Sequence, residues 1–358
     1  MFHPPSSVPA RLGYFMPAEW VPHRATWIAW PHQRDDWPDK FEPIPWVYGE
    51  IVRHLAASED VCILVENAEG QRRAESVLDK LSFDRHRVHF WPIPTDRVWT
   101  RDYGPQFLLD AAGSTALVDF AFNGWAKYDN WQRDNEVCPR INDALKRTIW
   151  QPERNGKRVV LEGGSIEVNG NGLLLTTEEC LLSEVQTRNP DFNKHDYERL
   201  FADYLGVRKV LWLNRGIAGD DTHGHIDDLA RFVASNAVVT VVEEDKGDVN
   251  YDPLQENLDR LRSATDAEGK PLTVHTLPMP APLWFAGQRL PASYANFYIA
   301  NDRVLVPTFN DANDRRALNV LAELFPTRAA IGIHAVDLVW GLGTLHCLTQ
   351  QEPSGRSP

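Results

Sequence analysis

A cysteine close to the end of the chain is the side chain best suited to nucleophilic attack. Cys347 follows the segment Gly341-Leu342-Gly343 and lies in a loop between apolar stretches. A thiolate is a strong nucleophile near neutral pH, and its activation requires partners that stabilise the charged form. An isolated cysteine is also often a small buried hydrophobe. The other polar motifs of the sequence must therefore decide which role Cys347 has.

Three further motifs concentrate acids and histidines in short segments. The segment WTRDYGP contains Trp99 and Asp102, LEGGS contains Glu162, and GDDTHGHIDD contains His225 and Asp227. The last segment holds four acids and two histidines, a density that core packing does not require. Together with the cysteine, these side chains indicate cleavage of a C–N bond in a guanidinium group.

A guanidinium group keeps its charge at biological pH and presents a planar set of N–H donors that carboxylates accept in pairs. We expect Asp102 and Asp227 to bind this group. The bound cation would lower the pKa of Cys347, because a nearby positive charge stabilises the thiolate. Trp99 is predicted either to lie against the substrate or to pack in the core.

The departure of ammonia requires a proton donor. His225, kept charged by Glu162, is predicted to protonate the leaving group and then to deprotonate the water that attacks the cysteine-bound intermediate. His346 is the second candidate because it directly precedes Cys347. Neighbouring side chains in an extended segment point to opposite faces, however, and this favours His225.

A metal site is the other reading of the histidine-rich segment. In a strand, His223, His225 and Asp227 would share one face, and with Asp228 they could serve a metal-dependent hydrolase. A hydrolytic metal would not need a cysteine nucleophile, so we expect neither a metal nor a cofactor. A non-catalytic binding protein and an amidino transfer to an amine acceptor also remain open.

Composition argues against several classes of partner. The chain has 358 residues, a net charge of -13 and no long basic segment, which disfavours nucleic acid and anionic membranes and mildly favours a small cationic ligand. Its four cysteines form no CxxC pair, so reduced thiols are expected. We find no signal-peptide pattern and no apolar run of the ~20 residues that a membrane helix needs. We predict a cytoplasmic protein, and the oligomeric state stays open, a homo-oligomer included.

Strand and helix patterns alternate five times along the chain. Strands are predicted to begin at Val61, Ala116, Ser165, Ala237 and Ala295. Helices follow at about 70–82, 135–147, 194–205, 253–263 and 313–325, and second strands at 88–91, 158–161, 209–212, 272–275 and 330–333. This repeat predicts a ring or array of β-α-β units in one domain, 1–358, with the polar motifs near a shared axis. A doubly wound sheet is the alternative, although no GxGxxG or P-loop supports it.

The motifs in combination resemble one enzyme family. WTRDYGP, LEGGSIEV with TTEECLL, DTHGHIDDLARF, SYANFYIAN and HCLTQQ are similar to segments of the agmatine deiminase and bacterial (Porphyromonas-type) peptidylarginine deiminase family, over about residues 17–353 with a short flexible tail at 353–358. The resemblance implies the five-fold α/β propeller of the guanidine-modifying pentein superfamily. It also implies Cys347 as nucleophile, His225 as acid and base, Glu162 as its partner, Asp102 and Asp227 as guanidinium carboxylates, and Trp99 at a substrate-contacting position.

The resemblance further implies a substrate. Family members that use agmatine convert it to N-carbamoylputrescine and ammonia, without metal or cofactor, as a step toward putrescine. Two segments depart from those enzymes: THGH stands where they usually have TNGH, and Leu342 interrupts a run of three glycines. Secreted peptidylarginine enzymes carry export signals and added C-terminal domains that we do not find here. Agmatine is therefore the expected substrate, with peptidylarginine or free arginine as the alternative.

Overall fold

A computed structural model describes residues 7–355 of the chain. Within this range the α-helices are α1 (Ile44–Leu55), α2 (Ala68–Leu78), α3 (Thr100–Tyr103), α4 (Val137–Leu145), α5 (Glu178–Leu182), α6 (Lys194–Leu205), α7 (Tyr251–Ser263) and α8 (Asn313–Leu324). The strands are β1 (His23–Ala29), β2 (Asp60–Leu64), β3 (Val88–Trp91), β4 (Gln106–Leu109), β5 (Thr115–Val118), β6 (Ile149–Trp150), β7 (Glu153–Arg154), β8 (Lys157–Arg158), β9 (Glu167–Val168), β10 (Leu173–Thr177), β11 (Lys209–Leu213), β12 (Ala230–Ala234), β13 (Ala237–Val242), β14 (Thr273–Pro278), β15 (Trp284–Phe285), β16 (Gln288–Arg289), β17 (Tyr298–Ile299), β18 (Arg303–Thr308), β19 (Ala329–His334) and β20 (Gln350–Pro353).

Most strands belong to five sheets that share one pattern. Their strand orders are β20-β1-β2-β3, β4-β5-β6, β9-β10-β11, β12-β13-β14 and β17-β18-β19. In each sheet an inner strand has an antiparallel neighbour on one side and a parallel neighbour on the other. Along the chain, α2, α4, α6, α7 and α8 each lie between two parallel strands of one sheet. Five β-α-β units are thus present, as predicted, and four of them have their second strand where the sequence pattern places it.

Local sequence signals account for these units. Strand β10 reads LLLTT and is buried along its whole length, as expected for a strand covered on both faces. Helix α6 begins after Asn193, whose side chain accepts from the N–H of Asp196 while the Asp196 carboxylate accepts from the N–H of Asn193. It ends at Gly206, which takes the left-handed conformation that glycine tolerates best. These caps place α6 where the apolar spacing predicts a helix.

The second unit differs from the prediction at its last strand. Lys146 adopts a left-handed conformation directly after α4, and the chain rejoins the sheet at once as β6. The segment predicted as a strand at 158–161 contributes only Arg158 to a strand, in the small hairpin of β7 and β8. Strand β1 and helix α1, near the start of the chain, are further elements that the sequence pattern does not predict.

The two ends of the chain meet in the first sheet. Strand β20 pairs antiparallel with β1, and the buried Glu352 accepts from the Trp27 indole (2.9 Å) and from the guanidinium groups of Arg24 (2.7 Å) and Arg147. Pro353 belongs to this strand, so the tail predicted for 353–358 begins too early; residues 356–358 lie outside the described part. Between residues 7 and 355, no helix is both long and apolar enough to cross a bilayer.

One large apolar cluster draws on all five sheets. It includes Trp27 from the first sheet, Leu117 from the second, Leu175 from the third, Val239 from the fourth and Leu305 from the fifth. Each of these side chains is almost fully buried. The sheets therefore share a packed core, which holds the loops between them in fixed relative positions.

Candidate active site

Loops from different units bring the predicted site residues together. Asp102 lies in the short helix α3, and Glu162 and His225 each stand directly before a single turn of 3-10 helix. Asp227 lies within the second of these turns, and Cys347 lies in the loop before β20. All five side chains are buried. The structure thus assembles the predicted acids, histidine and cysteine in one place.

The thiol of Cys347 is held between polar groups. The side-chain amide of Asn296 lies 3.1 Å from Sγ, and Oδ2 of Asp227 lies 3.6 Å from it. Burial, together with the negative charges of Asp227, Asp228 and Asp102, raises the pKa of the thiol well above its usual value. The ligand-free protein therefore keeps Cys347 as a neutral thiol at neutral pH.

Asn296 is not among the predicted site residues, yet it organises the cysteine loop. Its Oδ1 accepts from Oγ1 of Thr344 (2.8 Å) and from the backbone N–H of His346 (3.0 Å). Its Nδ2 donates to Oδ1 of Asp228 (3.0 Å) and faces Cys347. An amide suits this position because it is both a donor and an acceptor. In the sequence, the available signal is a polar residue inside the apolar segment SYANFYIAN.

Asp102 is oriented by two donors. Its Oδ2 accepts from the indole N–H of Trp125 (2.9 Å), and its Oδ1 accepts from the backbone N–H of Gly164 (3.0 Å). A Cβ atom on Gly164 would lie 2.7 Å from Oδ1 of Asp102 and 2.6 Å from the His225 ring, so glycine is needed for this approach. Burial raises the pKa of Asp102 to about 6, although His225 opposes the shift.

Asp227 has one engaged and one free carboxylate oxygen. Its Oδ2 contacts Nδ1 of His346 (2.7 Å), whose Nε2 lies 2.8 Å from Oε2 of Glu19. Burial opposes ionisation of Asp227, but the contacts with His346 outweigh it and lower the pKa of the carboxyl. Oδ1 is buried and has no hydrogen-bond partner among the described residues. This oxygen is available to the donors of a cationic ligand.

The expectation that His346 and Cys347 point to opposite faces is wrong. Residues 345–348 form a turn and are not extended, so both side chains reach Asp227. Each ring nitrogen of His346 contacts a carboxylate, one from Asp227 and one from Glu19. His346 therefore supports Asp227 and has no free nitrogen with which to move a proton.

His225 is surrounded by carboxylates at a slightly longer range. Its Nε2 lies 3.7 Å from Oε2 of Glu162, and its Nδ1 lies 3.8 Å from Oδ1 of Asp102. Burial opposes protonation of His225, but Asp102, Cys180 and Glu162 outweigh it and raise the pKa of the imidazole well above its usual value. Neither ring nitrogen has a hydrogen-bond partner among residues 7–355. The imidazole is therefore cationic and free to donate.

Arg188 anchors Glu162 and was not predicted. Its Nε donates to Oε1 of Glu162 at 3.0 Å, and both side chains are fully buried. Burial opposes ionisation of Glu162, but Arg188 and then His225 outweigh it and lower the pKa of the carboxyl to about 2. Glu162 therefore stays ionised beside His225 across the physiological range. Nothing in the sequence around Arg188 identifies this partner, because the two residues meet only through the fold.

The predicted metal face of His223, His225, Asp227 and Asp228 does not form. His223 has a left-handed backbone (φ 66°), and its Nε2 lies 3.1 Å from Oγ of Ser183. The next residues turn into a 3-10 helix, so the alternation that a strand would provide is absent. The metal-dependent reading of this segment is therefore wrong.

A cavity of about 430 Å³ opens onto the site. Its wall includes Asp102, Cys347 and the ring of Trp99. A Cβ atom on Gly343 would lie 2.8 Å from the Trp99 ring, so glycine allows the cysteine loop to pack against the indole. Trp99 also packs against Trp37, with ring centroids 5.7 Å apart. Trp99 thus packs in the core, as one of the two predictions has it, and also lines the cavity, while its contact with substrate stays a prediction.

Negative charge predominates around the cavity. Asp35, Asp36 and Asp221 line it in addition to Asp102, whereas Arg97 is the one cationic side chain that lines it within the described part of the chain. Arg97 is already engaged, because its Nη1 donates to Oδ1 of Asp36 at 2.7 Å. The cavity therefore suits a ligand with positive charge at both ends.

Comparison with known proteins assigns this site to a family. The Porphyromonas-type peptidyl-arginine deiminase family matches residues 15–353. The chain belongs to this family. The agmatine deiminase of Pseudomonas aeruginosa (strain LESB58), to which the chain is similar, is 33% identical, and the alignment covers 98% of this chain and 99% of that protein.

Solved structures of the family have a similar fold. The agmatine deiminase of Enterococcus faecalis is 33% identical, with a TM-score of 0.89 and 98% of each chain covered. The C. jejuni agmatine deiminase with substrate bound is 29% identical, with a TM-score of 0.85 and coverage of 96% of this chain and 97% of that one. The resemblance seen in the motifs is thus confirmed over nearly the whole length, together with the mixed α/β fold.

Proposed function

We propose that this member of the family is an agmatine deiminase, which hydrolyses the guanidinium group of agmatine to N-carbamoylputrescine and ammonia. One arrangement carries the proposal. The buried neutral thiol of Cys347 lies beside the carboxylates of Asp102 and Asp227, and it needs a cation to ionise. A guanidinium group supplies that cation and offers the N–H donors that both carboxylates accept. The reaction is the hydrolysis of a C–N bond in a linear amidine, a step toward putrescine.

The first half of the reaction releases ammonia. Substrate binding lets Cys347 lose its proton to solvent, and Sγ forms a bond to the guanidinium carbon. His225 gives its proton to the departing amino group, the C–N bond breaks, and ammonia leaves. The amidino group remains bonded to Sγ. Trp99 lies against the planar group and its methylene chain.

The second half of the reaction releases the product. Neutral His225 takes a proton from water, and the oxygen bonds to the amidino carbon. The C–S bond then breaks, the electron pair returns to Sγ, the remaining hydroxyl proton passes to solvent as the carbonyl forms, and N-carbamoylputrescine leaves. Glu162 stays negative throughout because Arg188 holds its pKa to about 2, and its charge stabilises the cationic form that His225 has regained from water.

The far end of the substrate distinguishes agmatine from arginine. Agmatine ends in an ammonium group, which suits the carboxylate of Asp35 in the cavity wall, whereas the Asp221 carboxylate is already paired with Lys127. Free arginine would bring a carboxylate, for which the cavity lining within residues 7–355 offers only Arg97, and Asp36 already binds Arg97. Peptidylarginine or free arginine is therefore the less favoured alternative.

We also infer that the five sheets surround the site with five-fold pseudosymmetry, in the manner of a pentein propeller, and form one domain. The repeated strand pattern supports this arrangement. The arrangement is also supported by the separate segments of the chain that supply the site residues Asp102, Glu162, His225 and Cys347. A cytoplasmic location and a homo-oligomeric state stay predictions.

Substrate competition tests the proposal. Purified protein with chelator present is expected to release ammonia and N-carbamoylputrescine from agmatine, with kcat/KM at least about 100-fold above that for arginine or a blocked arginine peptide. Cys347→Ala should lower kcat by at least about 1000-fold, whereas Cys62→Ala, a buried cysteine of the first sheet, should keep the wild-type rate. Turnover of arginine but not agmatine would overturn the substrate, and full activity of Cys347→Ala would overturn the mechanism.

A further inference from the structure

A second buried thiol lies behind the site, and the proposed reaction does not use it. Cys180 belongs to the short helix α5, and its side chain is 2% exposed. Its Sγ, a carboxylate oxygen of Glu162 and a ring nitrogen of His225 all lie within 4.8 Å of one another. These are three of the ligand types that zinc takes in proteins. Among the described residues, this is the one group of three such side chains with that spacing.

The spacing is close to that of a zinc site. Bonds of about 2.0 to 2.3 Å around a tetrahedral ion separate the ligand atoms by roughly 3.3 to 3.8 Å. The distance from Nε2 of His225 to Oε2 of Glu162 is 3.7 Å. Small side-chain movements would therefore bring all three atoms to bonding distance of one ion.

The surrounding contacts would support a metal. Both ring nitrogens of His225 lack a hydrogen-bond partner among the described residues, so metal binding would break no existing bond of the imidazole. Arg188 donates from Nε to both carboxylate oxygens of Glu162, to Oε1 at 3.0 Å and to Oε2 at 3.3 Å, and so orients the carboxylate whose Oε2 also faces His225. A divalent ion would meet the carboxylate of Glu162, which Arg188 already pairs, and one thiolate, and Asp102 adds further negative charge 3.8 Å from Nδ1 of His225.

The backbone fixes the helix and the histidine loop to each other. Oγ1 of Thr177 accepts from the N–H of Cys180 (3.0 Å) and donates to the carbonyl of Gly224 (2.6 Å). One hydroxyl thus joins the segment that carries the thiol to the residue before His225. This link holds the segments that carry Cys180 and His225 in place relative to each other, and Asp102, which lines the cavity, lies 3.8 Å from Nδ1 of His225.

We propose that Cys180, Glu162 and His225 form an inhibitory binding site for zinc or a similar thiophilic divalent cation. Binding displaces the proton of the Cys180 thiol and the proton of His225 to solvent. The imidazole lone pair is then occupied by the metal, so His225 cannot donate to the leaving group or deprotonate water. The enzyme stays inactive until the metal is removed. The site goes beyond the proposed reaction, which needs no metal.

Metal binding can be measured without any substrate. Equilibrium dialysis of chelator-treated protein against Zn²⁺ should give one ion per chain with a Kd in the micromolar range or tighter. Co²⁺ at the same site should produce a sulfur-to-cobalt charge-transfer band. Cys180→Ser should weaken zinc binding at least tenfold and remove that band. Cys347→Ala and Cys138→Ala should keep both, the latter as a matched control because Cys138 is a buried thiol beside a carboxylate, Asp119.

A second arm measures inhibition and rests on the proposed function. Stoichiometric zinc should lower agmatine hydrolysis at least tenfold, and chelator should restore it. The proposal is overturned if wild-type protein binds no zinc in dialysis, if Cys180→Ser binds it as tightly, or if the Cys347→Ala variant loses it. Thermal unfolding of each variant separates loss of the site from loss of the fold. Failure of agmatine turnover alone would affect only the proposed function.

Discussion

At the scale of single residues, the decisive property is the charge state of Cys347. Burial and three aspartates raise the pKa of its thiol, so the nucleophile is neutral until a cation binds. We predict that guanidinium ion at low millimolar concentration lowers this pKa by at least about one unit, which corresponds to about 1.4 kcal/mol. Ultraviolet titration of the thiolate measures it, with the Cys347→Ser variant subtracted. Equal pKa values with and without the cation would contradict substrate-assisted activation.

The ionisation of Asp102 should determine the pH below which the activity falls. Its pKa is raised to about 6 and only its ionised form accepts a guanidinium, so kcat/KM is expected to fall as pH decreases through about 6. The Trp125 N–H stabilises the ionised form, so Trp125→Phe should move this decrease to higher pH. Asp36→Asn is the control, because Asp36 also has a pKa of about 6. If the acid side of the pH profile moved in Asp36→Asn but not in Trp125→Phe, the ionisation that limits kcat/KM would belong to Asp36.

At the scale of elements, the cysteine loop holds a leucine in an unusual conformation. Leu342 has a φ of 67° directly after a turn of 3-10 helix, a backbone region that costs side chains other than glycine. We predict that the free energy of unfolding of Leu342→Gly is about 1 kcal/mol higher than that of Leu342→Ala. Both variants lose the packing of the leucine side chain, but only alanine keeps the cost of the left-handed backbone. Urea unfolding of the two variants gives the difference.

The control for this comparison is Leu338, which lies in the 3-10 helix just before Leu342 and is not among the residues with a positive φ. There the order should reverse, with Leu338→Ala more stable than Leu338→Gly by about 0.5 to 1 kcal/mol, because glycine loses more backbone entropy on folding. If Leu342→Ala were as stable as Leu342→Gly, the left-handed backbone at position 342 would carry no free-energy cost.

The five repeated units and the predicted acids and histidine of the site follow from local patterns, whereas the partners that support those residues do not. Apolar periodicity predicts the five units, and acid-rich loops point to Asp102 and His225. Asn296 and Trp125 were missed because they act across 51 and 23 residues of sequence, on Cys347 and Asp102, and only the packed fold brings them there. His223 was misread since its left-handed backbone breaks the strand alternation on which the metal reading depended.

At the scale of the whole molecule, the last strand returns to the first sheet and ties the chain ends together. The Glu352 side chain is fully buried there and accepts from Arg24, Arg147 and Trp27. Since β20 directly follows the Cys347 loop, this anchor also holds the nucleophile in place. The stability of the fold and the geometry of the site therefore depend on the same contact.

Neutralising this anchor tests that dependence. Glu352→Gln should lower the free energy of unfolding by about 2 to 3 kcal/mol, because it leaves partly buried arginines without their counter-charge. Glu268→Gln, in the exposed pair of Glu268 and Arg208, should cost no more than about 0.5 kcal/mol. Urea unfolding measures both, and alkylation of Cys347 should be faster in Glu352→Gln as the loop loosens. Equal costs for the two variants would mean that the joined chain ends contribute no more than an ordinary surface ion pair.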